Sequence, residues 1–132
     1  RMLNARHWIL GSLLGLCALT LVAAPGEVSF KRDVQPIFDH HCADCHGPKK
    51  QKARLNLSPE TAYQELVNMS SAEMPSILRV KPGDPADSYL WQKLEHTAKK
   101  GSGMPKGWFW AKNLDRKDMD TIKAWIEQGA KP

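Results

Sequence analysis

Apolar residues in this chain recur at helical rather than alternating intervals. After Asp33 come Val34, Ile37, Phe38 and Cys42, the spacing of one face of a first helix. Ser58 and Pro59 form a helix-start signal, a cap followed by proline at the first helical position, and Tyr63, Leu66 and Val67 then fall on one side of a second helix. Asp84 and Pro85 repeat that signal ahead of Tyr89, Leu90 and Leu94. A fourth helix is predicted from Asp115, with Met119, Ile122, Trp125 and Ile126 on one face and Gly129 as its stop. The Gly- and Pro-rich stretches 47–52, 81–85 and 101–107 read as loops. No segment alternates as a sheet requires, so the expected fold class is all-α with long loops.

The N-terminus differs from the rest. Residues 8–24 form an uncharged apolar run preceded by Arg1 and Arg6 and followed by Pro25 and Gly26, the pattern of an export signal. The run is longer than the usual signal core and slightly shorter than the ~20 residues of a membrane span. Its cleavage options are poor: a cut after Ala24 puts Pro25 next, and a cut after Ala23 leaves bulky Leu21 at the minus-three place. The expectation is therefore an uncleaved anchor on the periplasmic side of the cytoplasmic membrane, with a cleaved signal and a soluble periplasmic protein as the alternative. Residues 1–26 are assigned to this segment and residues 27–132 to one domain.

A length of 132 residues suits a single core behind that segment. The formal charge of +5 makes the surface mildly basic, but no basic run with interleaved aromatics is present, and nucleic-acid binding is not expected. Of three cysteines, Cys17 lies in the apolar run and the other two are three residues apart, which excludes a disulfide framework.

Those two cysteines carry the chemistry. Cys42-Ala43-Asp44-Cys45-His46 is the c-type haem attachment pattern, in which each thiol adds to a haem vinyl group and the histidine takes an axial position on iron. Near a helix end, cysteines three apart share a face and the next residue turns beneath the ring. Structural zinc would need four ligands, and no second cysteine pair follows; a thiol redox site would need a strand-to-helix setting. The pattern occurs once, so one covalent haem c is expected, and a large apolar cofactor would supply buried surface that short helices lack. For the sixth iron ligand, Met104 is favoured because Gly101, Gly103, Pro105 and Gly107 make a loop that lets backbone approach the ring. Met74, followed by Pro75, is the rival; Met119 reads as core, and Met2 belongs to the export segment. His40, His41 and His96 read as surface or structural histidines.

With these residues together, the chain resembles the class I cytochrome c fold, and more closely the small mono-haem domains of the planctomycete-type cytochrome family. The resemblance rests on residues 33–38, 42–48, 55–57 and 80–85 with Ser88 and Leu90, on Met104-Pro105, and on Ile122, Trp125, Ile126, Gly129 and Ala130. It covers nearly everything after residue 27, although such domains often sit inside much larger exported proteins. It implies that the first and last helices cross and that Met104 is the distal ligand by position.

The expected function is one-electron transfer rather than catalysis, as a membrane-associated carrier or as a subunit of a respiratory or photosynthetic complex. The alternative is a haem enzyme or gas sensor with an open or displaceable sixth position. Lys49, Lys50, Lys52 and Arg54 after the attachment site, and Lys99, Lys100, Lys106 and Lys112 around the Met104 loop, are expected to ring a haem edge and dock acidic redox partners. His46 is expected to donate its other ring N–H to a backbone carbonyl, near Pro48 or the Ser58-Pro59 turn. Leu55 and Leu57 are expected against the ring. Trp108, Phe109 and Trp110 read as core aromatics, with a Trp N–H or Arg54 as alternative partners for a haem propionate.

Overall fold

The computed structural model describes residues 26–106 and 114–132; the apolar run 8–24 and the aromatic residues 108–110 lie outside it. Its helices are α1 (Gln35–His41), α2 (Ala62–Leu66), α3 (Tyr89–Leu94) and α4 (Arg116–Glu127), and α1 is preceded by a π-helical turn, Phe30–Val34. An antiparallel ribbon of β1 (His46–Gly47) and β2 (Lys50–Gln51) follows α1 and leads into a short 3-10 turn, Lys52–Arg54. This ribbon is a departure from the all-helical expectation, and its two-residue strands are too short to show alternation. Among the described residues no helix is long and apolar enough to cross a membrane.

Helix starts follow the local polar chemistry. The first helical stretch opens at Ser29, not Asp33: the Ser29 amide donates to the Asp33 carboxylate at 2.8 Å, so Asp33 caps backwards from inside the turn. At the second, Ser58 begins a turn through its carbonyl, which accepts from Thr61 and Ala62, while its hydroxyl is engaged with Thr61 Oγ1 at 3.1 Å. Regular helix therefore starts only at Ala62. At the third, Asp84 accepts from the Asp87 amide and closes an isolated turn. Ser88 then extends, because its buried hydroxyl donates to the Asp84 carbonyl at 2.8 Å and accepts from the Lys81 amide at 2.8 Å. The helix begins after it. The fourth runs as its pattern predicts: Asp115 caps the Asp118 amide at 2.8 Å, and Gly129 ends it with φ +98°.

The core lies where the two ends of the domain meet. Phe30 packs on Trp125 (centroids 5.0 Å apart), edge-on to Tyr63 (5.3 Å) and against Phe38 (6.1 Å). Trp125 is fully buried, and its indole N–H donates to the Lys131 carbonyl at 2.7 Å. Tyr63 donates to the Ala130 carbonyl at 3.0 Å, and the Gln128 side chain accepts from the Val28 amide at 2.8 Å. The N-terminal turn and the last helix are thus in contact. Gln35, buried at the start of α1, donates to the Leu57 carbonyl at 2.8 Å and ties that helix to the chain beyond the ribbon.

Two outcomes follow for stability. Trp125→Ala should destabilise the fold by about 3–5 kcal/mol, read as a lower urea midpoint, because it empties the centre of the aromatic cluster. Asp115→Ala removes only a cap and should cost about 1 kcal/mol in the same measurement.

Candidate functional site

Helical hydrogen bonding continues past His41 and closes over the first cysteine. The amides of Cys42 and Ala43 both donate to the Phe38 carbonyl (2.9 and 3.0 Å), and those of Cys45 and His46 both donate to the Cys42 carbonyl (3.1 and 2.9 Å). This tight turn keeps both sulfurs and the His46 ring in one segment, and all three residues line one cavity. Gly47 is demanded by the same turn, since a Cβ there would collide with the Ala43 carbonyl.

The ribbon then reverses the chain and delivers the Lys52 carbonyl 2.9 Å from His46 Nδ1. A carbonyl can only accept, so Nδ1 carries the proton and Nε2 keeps its lone pair. Burial lowers the His46 pKa and favours this neutral ring. The orienting carbonyl therefore belongs to Lys52, and not to Pro48 or the Ser58-Pro59 turn. Cys42 and Cys45 are not joined to each other in a disulfide. Burial, with the charge of Cys45 adding to it, pushes the Cys42 thiol up to about 12.

The cavity has a volume of about 310 Å³, which falls in the range of cofactor sites. Leu55, Leu57, Leu66, Leu90 and Leu94 give it apolar walls. Met104 and Pro105 reach the same cavity. Of the other described methionines, Met69 is 48% exposed and Met119 packs against the core on α4, while Met74 lies outside the cavity lining. His41 is engaged with Asp118 at 3.3 Å, and His40 stacks edge-on against it. Among the described residues, no group of three or more His, Cys, Asp and Glu side chains could hold a metal ion, as a zinc site would require.

Glu73, Arg79 and Lys93, which the sequence does not single out, also line the cavity, together with Tyr89 of the α3 stripe. Arg79 donates to the Glu65 carbonyl (2.8 Å) and to the carbonyls of Arg54 (2.8 Å) and Ala53 (3.3 Å). It thereby pins the turn that presents the Lys52 carbonyl, where Ala53 and Arg54 both have φ of 54°, a left-handed conformation unfavourable for side-chain-bearing residues. No local pattern marks Arg79. Lys93 is 7% exposed and pairs with Glu73 at 2.6 Å, whose carboxyl is held below the usual range chiefly by that hydrogen bond. A signal for it existed: Lys93 stands four residues after Tyr89, on the buried stripe of α3.

The family model for cytochrome c matches residues 32–130, a span that runs from before α1 through the cavity to the end of α4. No curated protein and no solved structure matches the chain significantly. A match over most of the sequence, centred on a cavity that holds a Cys-x-x-Cys-His turn, assigns the chain to the cytochrome c family of haem-based electron-transfer proteins, with covalently bound haem c as its cofactor.

Proposed function

We propose that the protein is a mono-haem one-electron carrier of the planctomycete type, attached through Cys42 and Cys45, with His46 and Met104 as its two iron ligands. The observation that carries this reading is the 2.9 Å contact of His46 Nδ1 with the Lys52 carbonyl, which leaves Nε2 and its lone pair for iron in a cavity that Met104 also lines. The donor set fits the group, with two cysteine sulfurs, one imidazole lone pair, one thioether and leucine walls around a single cavity. When bound, haem iron alternates between ferrous and ferric states and so takes up and releases one electron.

The protein's own part is to hold donors in place and keep water away. Cys42 and Cys45 would hold the haem through thioether bonds, each S–H adding across one vinyl C=C with sulfur on one carbon and hydrogen on the other, an addition that would consume no oxidant or reductant. His46 is held by its ring N–H and also by its backbone, whose carbonyl accepts from the Leu57 amide at 2.7 Å. A thioether in the sixth position raises the reduction potential and closes the iron to outside ligands. Lys52 and Lys106 are exposed and border the cavity, with Lys49, Lys50, Lys99 and Lys100 exposed beside them in the chain, a basic rim suited to acidic redox partners. Residues 8–24 would hold the domain at the periplasmic face of the membrane, alone or within a larger respiratory or photosynthetic complex.

Met104→Ala should abolish the weak long-wavelength sulfur-to-iron absorption band of the oxidised protein. It should also lower the potential and let the reduced protein bind carbon monoxide readily, whereas Met74→Ala should leave the band intact. Wild-type protein that takes up carbon monoxide at once, with neither variant altering the spectrum, would point to an open iron and a gas-binding or catalytic role. Mass spectrometry of the mature N-terminus should find residues 8–24 retained; a start between residues 24 and 28 would mean a soluble periplasmic carrier.

A further inference from the structure

The loop that carries Met104 is wrapped around one buried lysine. An ammonium has three donors, and those of Lys93 are all used: one on the Glu73 carboxylate (2.6 Å), one on the Lys100 carbonyl (3.0 Å) and one on the Ser102 carbonyl (3.0 Å). The backbone of the same residue completes the grip, since the Lys93 carbonyl accepts from the Met104 amide at 2.8 Å. A single residue of α3 thus holds residues 100, 102 and 104. Tyr89, one turn earlier, shares its single hydroxyl proton between Glu73 at 3.0 Å and the Lys100 carbonyl at 2.8 Å, and the Lys93 ammonium lies 5.0 Å from its ring centre.

The two glycines of the loop are shaped to this grip. Gly101 has φ +72°, and a Cβ there would collide with the Lys93 ammonium and the Glu73 carboxylate. A Cβ at Gly103 would collide with the His96 ring. Their absent side chains therefore admit protein groups, Lys93, Glu73 and His96. With Lys93 buried and the Glu73 side chain 35% exposed, this ion pair adds little net stability, because desolvation of the ammonium offsets the attraction. What this one supplies is position, since every donor not spent on Glu73 is spent on the loop backbone.

We propose that Lys93, oriented by Glu73 and Tyr89, is the positioning residue that holds the Met104 sulfur in reach of the iron, an inference that rests on Met104 being the distal ligand. The Lys93–Glu73 pair sets how often that ligand lets go, and so how readily an outside molecule takes its place.

Imidazole binding to the oxidised holoprotein measures that opening, because imidazole occupies iron only when the sulfur has left. Lys93→Met and Glu73→Gln should each raise the apparent imidazole affinity about tenfold or more, the effect of losing a charge-assisted hydrogen bond. Tyr89→Phe, milder and with the ion pair intact, should raise it less, and it carries the test if Lys93→Met fails to accumulate. Ile122→Val, a core change on α4 away from the cavity, should leave the affinity unaltered. If the Glu73, Lys93 and Tyr89 variants bind imidazole as wild type does, or if Ile122→Val raises the affinity as much, the positioning role is wrong. Met104→Ala separates the two readings: it should bind imidazole most tightly, and a Met104→Ala protein with wild-type affinity would instead remove Met104 from the iron.

Discussion

His46 can offer only one ring nitrogen, because the other is spent on the Lys52 carbonyl. Much of the chain between α1 and α2 exists to make that commitment permanent. Gly47 allows the Cys-x-x-Cys-His turn to close on Ala43, the ribbon reverses the direction, and two left-handed residues, Ala53 and Arg54, swing the chain towards α2. Arg79 then holds the carbonyls of both from a segment more than twenty residues away. In its proposed role as an iron ligand, an imidazole oriented by a fixed carbonyl would need little rearrangement when the charge on iron changes.

The molecule divides its stabilising work between two regions. Around Phe30, Phe38, Tyr63 and Trp125, aromatic contacts join the beginning of the domain to its end, and the chain there packs as an ordinary apolar core. Around the cavity, walls come from leucines of several short elements, and the loops between them are held by side chains rather than by regular secondary structure. Helices as short as α2 and α3 cannot persist alone. They are stable here because each is tied at its ends, α2 through Arg79 and Tyr63 and α3 through Ser88 and Lys93.

The same device appears at two segments of the cavity, the turn after His46 and the loop before Met104. A cation reaches in from a distant segment and satisfies carbonyls that a loop would otherwise leave bare: Arg79 for residues 53 and 54, and Lys93 for residues 100 and 102. Each is steadied by one glutamate, Glu65 at 3.6 Å and Glu73 at 2.6 Å. Multiple carbonyls on one charged group restrict a loop more than isolated backbone bonds do.

What the sequence determined by itself was whatever depends on neighbours in the chain. The Cys42-Cys45-His46 spacing, the apolar stripe from Met119 to Ile126 and the Asp115 cap are local patterns, and the last helix runs between the expected boundaries. Turns with their own side-chain bonds were legible as turns but misread as helix starts at Ser58 and Asp84, since the same residues cap helices and close isolated turns. The sequence already favoured Met104 from its Gly- and Pro-rich loop, but that Met104 rather than Met74 lines the cavity of the Cys-x-x-Cys-His turn depended on how distant segments pack. So did the partner of His46, and so did Arg79, Glu73 and Lys93, charged residues of unremarkable sequence context. Their roles arise from burial and from carbonyls brought close by the fold, and neither is encoded at any fixed spacing along the chain.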